Sequence, residues 1–280
     1  MRVSRLPGIV LGLLATFSVY STTAAEQTAA MFADEIIFTA PPKETPRAGR
    51  ERYGPVAEYL SQVLGRRVTY KHPGNWTIFR IHMLKGNYDL IFDDGHLNNY
   101  RSEKLGHNTI VKAAAPNRYV VIVKKNSVRY QTLQNLTGRT ICSQAPPDLA
   151  TIIVLNRFSN PARQPLIRNT ESWPDIYRNV ITGKCAAGIL PLAALDQFEK
   201  QQSNTRVVFL TRPLPNLAFS AGPRLSKQEQ IKIARALTAK EGRTPTAKLR
   251  DAFMVQNGFV PASNQEYTGL AKYLENQLGY

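Results

Sequence analysis

Twice along this chain a short apolar, β-branched run stops at a turn-forming pair and gives way to an amphipathic stretch. No other feature restricts the fold as much. Strands that alternate with helices pair in parallel through crossovers, and the crossing helices must cover the faces of the sheet. In the first series, residues 35–40 read as a strand broken by Pro41-Pro42. After a polar loop, Pro55 opens a helix whose apolar face is Val56, Tyr59, Leu60, Val63 and Leu64, and Gly65 ends it. A second strand follows at 67–70, and Asn75 caps a helix over 76–85 that Gly86 stops. A third strand at 88–92 leads into Asp93-Asp94-Gly95-His96 and a short helix over 97–104.

The series then restarts. Residues 120–123 and 139–142 read as buried strands, and Pro146-Pro147 forces a turn after the second. Asp148 stands where an N-cap would, before the apolar run 149–155. A strand near Leu166-Ile167 and strands at 186–190 and 207–210 alternate with helices over 174–182 and 192–201. Helices over 227–238, 247–256 and 265–278 close the chain. The pattern predicts an α/β protein of two doubly wound lobes joined by a hinge, with crossings near Pro116-Asn117 and near Pro213 to Pro215. The expected boundaries are 33–118 for the first lobe and 119–215 for the second. Residues 216–280 cross back and pack mainly on the first lobe.

Doubly wound sheets bind ligands outside the carboxyl ends of their strands. That rule selects four loops: Pro41-Pro42, Asp93-Asp94-Gly95-His96, Ala145-Pro146-Pro147-Asp148, and Pro191. Helix N-termini near Pro42, His96 and Asp148 would turn backbone N–H groups toward the crevice. Two lobes that present such loops to one another form a cleft able to close by hinge motion.

The N-terminus is expected to lie outside this fold. Arg2 and Arg5 precede the apolar run from Ile9 to Val19, and Thr23-Ala24-Ala25 ends it, the layout of a secretory signal peptide over residues 1–25. The expectation is a soluble periplasmic protein. Removing residues 1–25 takes away two Arg and no acid, leaving 34 basic against 20 acidic residues, a net of +14. The basic residues are scattered without forming a stripe, so no nucleic-acid partner is expected. Cys142 and Cys185 fall in an oxidising compartment, where either a disulfide or two buried thiols fits the sequence.

Several stretches in their order along the chain carry a family resemblance. They are 53–60, the Asn75-Trp76 helix start, 86–90, 133–140, 183–188 and Leu214-Pro215-Asn216. The sequence resembles the phosphate/phosphite/phosphonate-type substrate-binding proteins of ABC importers, which have the type 2 periplasmic-binding fold. The resemblance covers nearly the whole mature chain. It implies a two-lobed ligand trap, expected to be a monomer, that delivers a small solute to an ABC permease at the inner membrane and performs no chemistry. The departures concern the ligand. Where phosphonate binders carry a Ser-Thr-Ser-Gly-like anion clamp, this chain has Pro147-Asp148-Leu149-Ala150, with Ser143 and Thr151 close by. The family's acid after the Leu-Pro-Asn turn is Leu217 here, and its His before the second-lobe helix is Trp173. In the first lobe Asp93, Asp94 and His96 replace a Gly-Pro pair.

The candidate ligand-binding residues are Pro42, Trp76, Asp93, Asp94, His96, Pro147, Asp148, Thr151, Trp173 and Asn216. Trp76 and Trp173 would pack the body of the solute, and Asp94 would orient a donor or cationic group. Asp89 reads as structural. His72, Asp93, Asp94 and His96 are proper metal-ligand types, but their spacing matches no standard signature, so neither metal nor cofactor is expected. Cys142 sits within a strand, and no Ser–His–Asp order, phosphate loop or dinucleotide fingerprint occurs, so an enzyme is not expected. A periplasmic sensory module that binds a solute or metal and feeds a membrane receptor is the alternative function.

Overall fold

The computed structural model describes Met1 and residues 35–280 apart from 276, 278 and 279. The expected signal segment, Met1 excepted, lies outside the described residues. In chain order the first part runs β1 (Ile36–Thr39), α1 (Pro46–Leu64), β2 (Val68–Tyr70), α2 (Trp76–Leu84), β3 (Leu90–Asp93), α3 (Gly95–Lys104) and β4 (Asn108–Ala113). A second run follows: β5 (Tyr119–Lys124), β6 (Thr140–Ser143), α4 (Leu149–Leu155), β7 (Leu166–Asn169), α5 (Trp173–Ile181), β8 (Ala187–Pro191), α6 (Leu192–Phe198) and β9 (Thr205–Leu210). The chain then returns through β10 (Ala218–Ala221), α7 (Lys227–Thr238), α8 (Ala247–Ala252) and β11 (Phe259–Pro261).

These strands make two sheets, ordered β11-β4-β10-β3-β1-β2 and β7-β6-β8-β5-β9. In the first, β1 pairs in parallel with β2 and β3, while β10 enters antiparallel between β3 and β4. In the second, β6 is parallel to β7 and β8, and β5 runs antiparallel to β8 and β9. A strand from after the second sheet therefore completes the first, and the chain must cross between the lobes twice. The two crossings meet in an antiparallel bridge, where Asn117 and Leu214 exchange backbone hydrogen bonds of 2.9 and 2.8 Å.

Helix α1 starts well before the expected Pro55. Thr45 is its N-cap, with a side chain that accepts from the Ala48 amide, and Pro46 occupies the first turn, where a missing N–H costs nothing. Its buried stripe is Gly49, Tyr53, Val56, Ala57 and Leu60, so the helical period extends back through the polar-looking loop. Gly49 is required by close approach, since a Cβ there would stand 2.5 Å from the Tyr70 hydroxyl. Pro55 sits inside the helix and gives up one hydrogen bond that packing of the stripe offsets. Other differences lie at the end of the chain. The expected helix over 265–278 is instead two 3₁₀ turns, Asn264–Tyr267 and Ala271–Leu274, and the helix from 247 stops at Ala252. Strands β4 and β10 had no counterpart in the sequence reading. The Cys142–Cys185 alternative is settled as a disulfide, with the Cα atoms 5.8 Å apart.

His107 lies in the short loop that leads into β4 and is buried. Burial, reinforced by the nearby Arg101 cation, pushes its pKa from 6.5 down to about 3. The folded protein thus binds fewer protons here than the unfolded chain. Stability is present in full above about pH 6.5 and is lost as the pH falls toward 3. Within that window each pH unit removes up to about 1.4 kcal/mol. The urea midpoint should fall between pH 7 and pH 5, and His107→Gln should flatten that slope. An equal slope in the variant would assign the acid sensitivity elsewhere.

Candidate functional site

Three loops selected by the crevice rule converge on one ammonium group. Lys43 follows the Pro41-Pro42 break that ends β1, and its Nζ donates to Asp94 Oδ2 at 2.7 Å and to Asp148 Oδ2 at 2.9 Å. Asp94 is the N-cap residue of α3, but its side chain makes no cap bond and points to Lys43. Its Oδ1 accepts from the Tyr119 hydroxyl at 3.2 Å. Asp148 divides its two oxygens: Oδ1 caps α4 through the Thr151 amide at 3.2 Å, and Oδ2 takes Lys43. Lys43 and Asp94 belong to loops of the first sheet, Asp148 and Tyr119 to the second, so the cluster spans the lobes.

Lys43, Asp94 and Asp148 keep only 13, 5 and 9 % of their side-chain surface exposed. Burial opposes the Lys43 charge, but Asp148 and Asp94 outweigh it and hold its pKa above that of ordinary lysine. Burial also opposes the charge of Asp94, which Lys43 and then His96 offset, leaving its pKa below the usual carboxylate value. A third contact crosses between the lobes: His96 Nε2 lies 2.8 Å from the Pro147 carbonyl. A carbonyl only accepts, so Nε2 carries the proton, and burial keeps the ring's pKa below its usual value. The Pro146-Pro147 bond is cis.

Two cavities, of about 200 and 330 Å³, flank this cluster, and Lys43, Gln144 and Asp148 line both. These three residues therefore stand where the two cavities meet. The first cavity is walled by the hinge residue Asn117, by Asn216, and by Trp173, Phe253 and Met254. Trp173 meets Phe253 edge-on with ring centroids 6.2 Å apart. Met254 holds a φ of 56°, a left-handed conformation that costs a non-glycine residue about 1 kcal/mol or more. The second cavity is walled by Pro42, Glu44, Trp76 and Glu171. Trp76 is half-buried and packs edge-on against Phe79 at 5.8 Å.

Of the residues singled out in the sequence, Pro42, Trp76, Asp94, Asp148, Trp173 and Asn216 border the two cavities. Asp93, His96, Pro147 and Thr151 do not. Asp93 is corrected to an interior role, since its carboxylate is fully buried and takes both Arg101 guanidinium nitrogens at 2.6 and 2.7 Å. Thr151 is likewise internal, its hydroxyl bonded to Ser143 Oγ and the Gln144 carbonyl, both at 2.6 Å. His96 Nε2 is spent on the Pro147 carbonyl, and His96 Nδ1 is buried without a hydrogen-bond partner. Lys43 was missed, although it stands one residue beyond a selected loop. The available signal was a cation at the carboxyl end of β1, with acids at the equivalent ends of β3 and β6. Among the described residues, no group of three or more His, Cys, Asp or Glu could hold a metal ion.

Residues 38–267 match the family described as the phosphonate periplasmic substrate-binding protein of ABC transporters. The chain belongs to this family. Its members are solute-binding components of ABC importers and not enzymes, and this chain is such a component. The fold recurs in solved structures of low identity. A Xanthomonas citri protein, XAC2383, solved bound to ATP, superposes with a TM-score of 0.67 at 13 % identity, over 86 % of this chain and 97 % of its own. PhnD1 of Prochlorococcus marinus, in complex with methylphosphonate, gives 0.66 at 16 % identity over 86 and 97 %. A binding-protein component of an ABC phosphonate transporter from Pseudomonas aeruginosa gives 0.64 at 13 % identity over 83 % of each chain. A comparison with curated proteins finds no match. Among the described residues no helix is long and apolar enough to cross a membrane.

Proposed function

We propose that this protein works in the periplasm as a monomer, captures a small polar solute between its lobes and hands it to an ABC permease at the inner membrane, with no nucleic-acid partner. The observation that carries the reading is the pair of cavities lined from both lobes and meeting at the Lys43–Asp148 contact. Trp173 and Asn216 bound the solute in the first cavity, Pro42 and Trp76 bound it in the second, and Asp94 and Asp148 hold its polar group. His96, Pro147 and Thr151 act one layer back: they fix the loops of α3 and α4 in the positions that let the lobes close.

A thermal-shift screen tests this reading. A bound solute at about a hundredfold over its dissociation constant should stabilise the protein by roughly 2.7 kcal/mol. The panel comprises phosphate, phosphite, methylphosphonate, amino acids and small amines. Trp173→Ala removes an aromatic wall and should weaken the solute that registers by about tenfold, with the fold retained. A protein that registers none of the panel, or a Trp173→Ala variant that binds as wild type does, would overturn the placement.

A further inference from the structure

The chain is strongly basic, with a formal net charge of +16, yet its interlobe cavities are not. Three carboxylates, Asp94, Asp148 and Asp196, line the first cavity against the cations Lys43 and Arg118. Glu44, Asp148 and Glu171 line the second against Lys43 alone. Acidic walls in a basic protein focus a potential that concentrates cations and repels oxyanions.

The position an anion would need is also occupied. Asp148 already caps α4 with Oδ1, and its second oxygen faces the cleft. What completes the pair of carboxylates is an ammonium group, supplied by the chain itself. An independent acceptor lies in the second cavity. Glu44 has 7 % of its side-chain surface exposed; its Oε2 is held by Arg52 at 2.7 Å, and its Oε1 is buried without a hydrogen-bond partner. A donor that reached this buried oxygen would satisfy it.

We infer that the solute carried by this protein bears a protonated amino or guanidino group, which takes the place between Asp94 and Asp148 now held by the ammonium of Lys43. The inference rests on the solute-capture reading above and names the chemical class of its cargo. Lys43 is a tethered surrogate for the solute's cationic head: it keeps the two carboxylates paired when the lobes meet, and it must swing out for the solute to enter. Its departure takes away one of the three residues that border both cavities, the others being Gln144 and Asp148. A methylphosphonate or phosphate anion would meet as counter-charge only Arg118, in the first cavity, and a lysine already shared by two acids.

The test uses the mature protein, with agmatine, putrescine and ethanolamine as cationic probes and phosphate and methylphosphonate as anionic ones, all at matched ionic strength. At least one amine should raise the melting temperature, and the two anions should not. Asp148→Asn keeps a capping oxygen for Thr151 and removes the charge, so it should weaken that amine by about 10- to 100-fold. Lys43→Ala removes the competing ammonium and should tighten it by about tenfold or more. The same variant, left with two facing carboxylates, should regain stability on addition of n-butylammonium, and wild type should not respond. A shift with methylphosphonate or phosphate and none with amines would overturn the inference and keep the capture reading. No shift with either class, in wild type and in Lys43→Ala, would overturn both. Amine binding unchanged in Asp148→Asn would overturn the assignment to these carboxylates.

Discussion

Asp93→Ala is expected to destabilise the protein by about 3–5 kcal/mol, measured by urea unfolding at neutral pH. The residue ends β3 at the centre of the first sheet. Its side chain and that of Arg101 are both 0 % exposed. The carboxylate takes the guanidinium on both oxygens and also accepts from Asn98 Nδ2 at 2.7 Å. Burial raises the pKa of Asp93, and the Arg101 charge only partly offsets this. Removing the acid leaves a guanidinium in the interior with Ser220 Oγ, at 2.8 and 3.1 Å, and the Met83 sulfur as its remaining partners. The cost lies in the stranded charge more than in the lost bond. The double variant Asp93→Leu with Arg101→Met should therefore lose much less than Asp93→Ala. If Asp93→Ala cost under 1 kcal/mol, water would have to reach Arg101, and the sealed interior described here would be wrong.

The second large effect is expected on reduction. The Cys142–Cys185 bridge closes a span of 43 residues that contains β7, α5 and the turn into β8. Restricting a loop of that length in the unfolded chain is worth about 4 kcal/mol in the chain-entropy account. Cys142 lies on β6 and Cys185 just ahead of β8, the two strands that carry Asp148 and Pro191 to the cleft. For a chain of this size the loss corresponds to roughly 8–16 °C in melting temperature. Thermal unfolding with and without reductant, with the Cys142→Ala/Cys185→Ala variant as a control insensitive to reductant, measures it. A wild-type transition unmoved by reductant would show that the bridge adds nothing to stability.

Both effects bear on the cleft, because Asp93 immediately precedes Asp94 and the bridge anchors the loop of Asp148. A loosened β3 or β6 shifts one carboxylate away from Lys43. The stability of the two sheets and the precision of the site are thus set by the same strands.

Much of this was legible in the residues alone. The strand–helix alternation, the caps at Asn75 and Asp148 and the proline breaks are written in local chemistry, where each residue acts on neighbours a few positions away. That chemistry was enough to predict two doubly wound lobes and the loops that meet at the cleft. The start of α1 was misread because Gly54-Pro55 is a strong local punctuation signal, and only the burial of Gly49 and Tyr53 against Tyr70 overrides it. Asp93 and Asp94 are adjacent in sequence and look alike, yet pleating sends their side chains apart, one to Arg101 and the other to Lys43. The ammonium at the centre of the cleft joins partners 51 and 105 residues away in the chain. No local pattern reports such a contact. It exists because the chain crosses between the lobes twice and returns β10 to the first sheet, which fixes where the loops of β1, β3 and β6 meet. Local chemistry sets the elements and the strand ends at which a ligand could bind, whereas the pairing of charges at those ends follows from how the two sheets are interleaved.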